Sequence, residues 1–84
     1  MSKKEKLLHK FLNKPSSISS KAIELLLLEY NFIKINAKGS HVKYKHSIFT
    51  DDIVVPVHNN DCKEFYKNKI AKYLKHLIIY YENK

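Results

Sequence analysis

Apolar residues first recur at helical spacing: Leu7, Leu8, Phe11 and Leu12 form a stripe from Lys3 onward, and Pro15 with Ser16 and Ser17 breaks it. The pattern predicts a short amphipathic helix. Ser19 or Ser20 can then cap a second helix by accepting a hydrogen bond from its first-turn amides. In that helix Ile23, Leu26, Leu27 and Tyr30 fall at i, i+3, i+4 and i+7, so one face is expected to lie on the core. From Phe32 the period drops to two. Ile33 and Ile35 alternate with Phe32, Lys34 and Asn36, and Val42, Tyr44 and His46 alternate with His41, Lys43 and Lys45, as half-buried antiparallel strands do. Residues 37–40 make the turn between them. A third β-branched run, Asp52 to His58, contains Pro56, which has no ladder donor and so favours an edge strand or a strand end. After a polar stretch, Tyr66, Ile70, Tyr73, Leu74, Leu77 and Tyr81 form the stripe of a last helix. Lys67, Lys69, Lys72 and Lys75 fill its other positions.

The predicted order is helix, helix, three strands in a meander, helix. Helices gathered on one face of an antiparallel sheet make a two-layer α+β fold whose other sheet face is open to solvent or a partner. The 84 residues fit a single domain, 1–84, with an additional N-terminal helix in 1–14 and a core in 19–82. A chain this short buries only about 60–65% of its unfolded surface, so the core is thin.

Charge narrows the partners. Sixteen lysines stand against eight carboxylates, there is no arginine, and the formal net charge is +8. Lysine is a flexible point charge that suits phosphate without bidentate base readout, so the excess points to sequence-tolerant binding of nucleic acid or of an acidic protein. The same lysines also fit a surface that merely keeps the chain soluble. Cys62 is the single cysteine, so no intramolecular disulfide forms and a reducing compartment fits. The longest apolar run, Leu25 to Leu28, is far short of a membrane span, and the N-terminus lacks a signal-peptide core. A soluble, cytoplasmic protein is expected.

The chemistry gathers on the second strand. With Val42 and Tyr44 facing the core, His41, Lys43 and Lys45 line the open face. An imidazole exchanges a proton near neutral pH, and ammonium groups beside it stabilise charge building up on a phosphate. The RNA 2′-hydroxyl supplies an internal nucleophile, so neither a protein nucleophile nor a metal is needed. Just before the histidine lies Gly39, the only glycine. It suits a turn needing positive φ or a close backbone approach. Lys38 adds charge there, and Ser40 offers a hydroxyl and an amide to a phosphate. Spacing alone favours an ordinary hairpin glycine followed by a surface histidine over a functional turn. His58 ends the third strand and could approach the same face. His46 reads as structural, His9 and His76 as solvated, and Asp51 with Asp52 as a solvated turn. No histidine pair has zinc spacing, so no metal or other cofactor is expected. Lys67 and Lys69, near the start of the last helix, suit phosphate because the helix dipole adds to their charge.

The segment Ser20 to Phe32, the triplet Gly39-Ser40-His41, the pair Lys45-His46 and the run Val55-Pro56-Val57-His58 together resemble the HicA family of toxin–antitoxin systems, over about three quarters of the chain. The resemblance implies a fold similar to a double-stranded-RNA-binding domain and metal-independent endonucleolytic cleavage of mRNA. It makes His41 the essential residue and a HicB-like antitoxin the partner that masks it. The expected assembly is then a monomer or dimer alone and a hetero-oligomer with the antitoxin. The start of the last helix, residues 67–72, also resembles the lysine-rich helix start with which double-stranded-RNA-binding domains hold phosphate. Two departures stand out. Asn31 replaces a common glycine, although asparagine tolerates positive φ; and the turn after His46 is acidic where family members carry proline, glycine and basic residues. Two other readings remain open from the residues: a non-catalytic RNA-binding module of the same fold, and a protein-interaction module whose basic face serves an acidic partner.

Overall fold

The computed structural model describes residues 3–59 and 61–83. Met1 and Ser2, within the expected N-terminal helical segment 1–14, lie outside the described residues. Helix α1 spans Lys3–Asn13, and a single 3₁₀ turn over Pro15–Ser17 leads into α2, Ser20–Glu29. Strands β1 (Ile33–Asn36), β2 (His41–Lys45) and β3 (Ile53–Pro56) follow, then helix α3, Glu64–Glu82. The order is the expected α+β one, α-β-β-β-α behind an N-terminal helix. Of the two candidate caps for α2 it is Ser19, in extended conformation, whose hydroxyl accepts the Ala22 N–H at 3.2 Å. Asn31 leaves that helix at φ 69°, the left-handed conformation a glycine would adopt, and so turns Phe32 into the core.

The sheet is a meander in the order β1-β2-β3, antiparallel throughout. Its hydrogen-bond phase follows from two bonds at its ends. Ala37 N–H donates to His41 O at 3.0 Å, and Val57 N–H donates to Ser40 O at 2.8 Å. Bonded and non-bonded pairs alternate in an antiparallel ladder, so β2 bonds β1 through His41, Lys43 and Lys45 and bonds β3 through Ser40, Val42 and Tyr44. His41 opposite Pro56 is therefore a non-bonded pair. The donor that proline lacks would have pointed off the free edge, which is why Pro56 is tolerated in an edge strand.

The core lies between the helices and one sheet face, with Phe11, Ile23, Leu26 and Leu27 packed over Ile53, Val55, Leu74 and Leu77. Leu8 and Phe11 belong to this same cluster, so α1 is part of the packed body. Tyr44 is buried beside them, and burial first, then the Glu24 carboxylate, pushes its hydroxyl well above the usual phenol range. That phenol stays protonated.

Two side-chain placements depart from the sequence pattern. In β1 the apolar positions face outward: Ile33 pairs across to Lys45 and Ile35 to Lys43, and the two isoleucines are 62% and 40% exposed. Phe32 enters the core instead, and Lys34 turns to the helix side, where its ammonium meets Glu24 at 2.7 Å. A hydrogen bond from Lys34 is the largest cause holding the Glu24 carboxyl below the usual range. The helix layer thus offers β1 a carboxylate where the pattern requires an apolar neighbour. In α3 Lys67 lies on the buried stripe with Ile70, Ala71, Leu74 and Leu77, whereas Tyr81 is exposed near the helix end.

Candidate functional site

The open sheet face is built by the alternation of β2. Val42 and Tyr44 turn to the helices, so His41, Lys43 and Lys45 turn away, flanked by Ile35 and Ile33 on β1 and by Pro56 and Val54 on β3. His41, Lys38, Gly39 and Ser40 are all exposed at one end of this face. The backbone presents them there for a stated reason. Gly39 has φ +75°, a conformation L side chains rarely adopt, and that turn lets the chain reverse into β2 at His41. A Cβ at Gly39 would meet nothing within 4 Å. Positive φ, and not close packing inside the chain, is what calls for glycine here, and the space in front of the turn is open.

His58 reaches the same end. Val57 bonds Ser40, which extends the β2–β3 ladder one residue past Pro56 and brings His58, two residues beyond the cross-strand partner of His41, to this corner. A tight turn holds it there: His58 N–H donates to Asp61 O at 2.8 Å, Asp61 N–H donates back to His58 O at 3.0 Å, and Asn59 takes φ 53°. His58 itself is exposed.

Two carboxylates enter the site: Asp52, which the sequence reads as part of a solvated turn and which instead pairs with lysines, and Asp61, which the sequence pattern did not mark. Asp52, just before β3, stands 3.9 Å from Lys43 Nζ and 4.0 Å from Lys45 Nζ and partly neutralises both. Asp61 gathers three donors on one oxygen: Ser20 N–H at 3.0 Å, Cys62 N–H at 2.9 Å and Lys67 Nζ at 3.1 Å. The Cys62 amide and then Lys67 hold its carboxyl below the usual range. Asp61 thereby ties the start of α2, the His58 turn and the first turn of α3 together. Lys67, expected with the phosphate-facing lysines, is buried and paired in this clasp, while Lys69 is exposed. A hint was present in the sequence, because Lys67 lies three residues before Ile70 and seven before Leu74, on the core heptad of the helix.

The remaining titratable groups fall outside the site. His46 is buried between Phe32 and Phe49; its Nδ1 accepts Ile48 N–H at 3.2 Å and its Nε2 bonds the Tyr30 carbonyl at 3.0 Å, so the ring carries its proton on Nε2. This is the structural role its strand position predicts. Burial first pushes the Cys62 thiol up, which leaves it a poor nucleophile at neutral pH. His9 and His76 are exposed on helices. Among the described residues no three His, Cys, Asp or Glu side chains are placed to hold a metal ion, and no helix is long and apolar enough to cross a membrane.

A family model described as the HicA toxin of bacterial toxin–antitoxin systems matches residues 20–77. The chain belongs to the HicA family. The match opens on the first residue of α2 and ends on Leu77, so it takes in the whole sheet and both histidines of the open corner, and leaves α1 and the last turn of α3 outside. No curated protein and no solved structure matches the chain. As a HicA toxin it is the toxin half of a pair, which implies an antitoxin partner.

Proposed function

We propose that this HicA toxin is a cytoplasmic, metal-independent endoribonuclease that cuts mRNA and is neutralised by a HicB-like antitoxin. The observation that carries the reading is His41, exposed on the open sheet face with Lys43 and Lys45 turned the same way and Gly39 holding the turn before it. His41 serves as general acid or base. As base it takes the proton of the 2′-hydroxyl, whose oxygen bonds to phosphorus as the bond to the 5′-oxygen breaks; as acid it protonates that leaving oxygen. Lys43 and Lys45 hold the phosphate region and stabilise its developing charge. Lys38, the Gly39 and Ser40 amides, and Lys69 guide the flanking backbone, and His58 offers a second imidazole at the corner. Lys67 acts through Asp61, as a support for that corner. The test is incubation of the protein with RNA in chelator-containing buffer: strand scission is expected, and intact RNA overturns the reading.

Asp52 makes a second result specific to this chain. Its carboxylate occupies the two lysines that the phosphate would engage, at distances typical of weak, exposed pairs worth at most about 1 kcal/mol each. Asp52→Asn keeps the shape and releases both ammonium groups. RNA affinity at low salt, measured by fluorescence anisotropy, is expected to rise roughly fivefold. The gain should shrink as salt is added, since it is electrostatic. Equal affinity in the two proteins at low salt would show that Lys43 and Lys45 do not touch the phosphate.

A further inference from the structure

At the end of the sheet away from His41, the turn from β2 to β3 meets the middle of α3. Phe49, in that turn, packs on Tyr73 of α3 with ring centroids 4.9 Å apart and ring planes at 84°. Both rings are half-buried, and with Lys72 and His76 they line a surface notch of about 270 Å³. Phe32 and His46 hold Phe49 in place, their ring centroids 6.1 and 5.9 Å from its own, and its N–H donates to His46 O at 3.1 Å. The walls are thus set by packing before anything enters. No carboxylate lines the notch: Asp51, two residues past Phe49, lies outside the lining, and Asp52 is held by Lys43 and Lys45. Lys72 and His76 are exposed, and Lys72 is in no ion pair among the described residues.

We propose that this notch holds one unpaired nucleobase of the bound RNA, beside the cleavage site and apart from it. The perpendicular walls select a flat ring: lying parallel to one wall it meets the other edge to face, so it makes both favoured aromatic contacts at once. Size limits the occupant to a single base, because the space is just under the roughly 300 Å³ at which clefts begin to hold drug-sized ligands. Charge separates a nucleotide from an aromatic side chain of a partner protein. A nucleotide brings a phosphate to the free Lys72 ammonium and polar edges to the His76 imidazole, whereas a peptide backbone is neutral and leaves Lys72 without a counter-charge. The place also fits. Lys45, four residues before Phe49, ends the open face, and Lys69 stands one helical turn before Lys72 and Tyr73, so the notch adjoins both stretches of the proposed RNA track. The inference rests on the RNA reading and adds a substrate class to it. A base seated here has left its stack, so the strand is single at this point, and stacking on aromatic walls accepts any base.

The probe is a fluorescent single-stranded oligonucleotide with 2′-O-methyl riboses, which lack the nucleophile for cleavage; its counterpart has the same backbone and charge but no bases. Anisotropy should show the parent binding the base-bearing strand about tenfold more tightly. Phe49→Leu keeps an apolar contact with Phe32 but removes a flat wall, and should cut that preference to about twofold or less. Its affinity for the base-free strand, and for a blunt duplex whose bases stay stacked, should match the parent's. Lys72→Gln, on the exposed helix face, should weaken both strands and lower the slope of log affinity against log salt by about 0.7. A strand carrying 5-iodouracil, irradiated on the parent, should crosslink at Phe49 or Tyr73, which covers the case that Phe49→Leu fails to fold. Equal binding of the two strands by the parent, the full preference kept by a folded Phe49→Leu variant, or a crosslink confined to β1 and β2 overturns the proposal. Any of these from a parent that still cuts RNA in chelator empties the notch and leaves the cleavage reading standing; a parent that neither binds nor cuts RNA removes both.

Discussion

A His41→Ala variant is expected to cut RNA about 10²–10⁴-fold more slowly than the parent, the usual contribution of a positioned acid or base, and to melt at nearly the same temperature. The second half of that result follows from the geometry. His41 is exposed, its cross-strand partner Pro56 forms a non-bonded pair with it, and its backbone bonds to β1 survive the substitution. Surface changes of this kind shift stability by no more than about 0.5 kcal/mol. RNA affinity should also persist, since Lys43 and Lys45 remain, so the loss belongs to the chemical step. The measurement is cleavage of labelled RNA with chelator present, alongside anisotropy and a thermal melt. Parental cleavage by the variant would remove His41 from the mechanism; a parent that binds RNA without cutting it would make the chain a binding module of the same fold.

The sequence made this corner legible because several local signals agreed there. The only glycine, a change of period to two and a histidine two residues after that glycine all pointed to a hairpin whose second strand carries its polar residues outward, and β2 does so. Asn31 was legible for a similar reason: a residue that tolerates positive φ stands where the helix must end, and it takes φ 69°. The faces of β1 were not legible. Alternation says that Ile33 and Ile35 share a face, but which face is set by register against β2 and by what the helix layer presents. Here that is Glu24, waiting for a lysine. The outward isoleucines are thus a tertiary outcome.

Asp52 and Asp61 were hidden by distance along the chain. Asp52 reaches lysines seven and nine residues earlier only because β2 and β3 are neighbours, and Asp61 serves the amide of Ser20, 41 positions earlier in the chain. Period and spacing cannot register such pairs. For Lys67 the helical period did carry the answer, but its charge argued for solvent more loudly than its position argued for burial. The buried partner that reconciles the two is a loop residue, visible only once the fold brings it in.

That pairing sets up an asymmetric double substitution. Asp61→Ala leaves the buried Lys67 ammonium without its counter-charge and the Ser20 and Cys62 amides without their acceptor, and a loss of about 3 kcal/mol is expected from urea denaturation. Small domains are stable by only about 5–15 kcal/mol in total, so this is a large share. Lys67→Met should cost less than about 1 kcal/mol, because the apolar chain keeps the packing of the lysine stem and the half-exposed Asp61 carboxylate can turn to water. If a stranded ammonium is the main cost, adding Lys67→Met to Asp61→Ala should recover part of the loss. Acid gives an independent reading of the same clasp. Asp61 has a folded-state pKa held below its unfolded value of about 3.9, so its contribution is complete well above that value and drains away as pH falls below it. The difference in stability between the parent and Asp61→Asn should therefore narrow on acidification through that range. A Lys67→Met variant as unstable as Asp61→Ala would show instead that the ammonium itself holds the loop. The His58 corner would then depend on that charge, and RNA cleavage should fall with it.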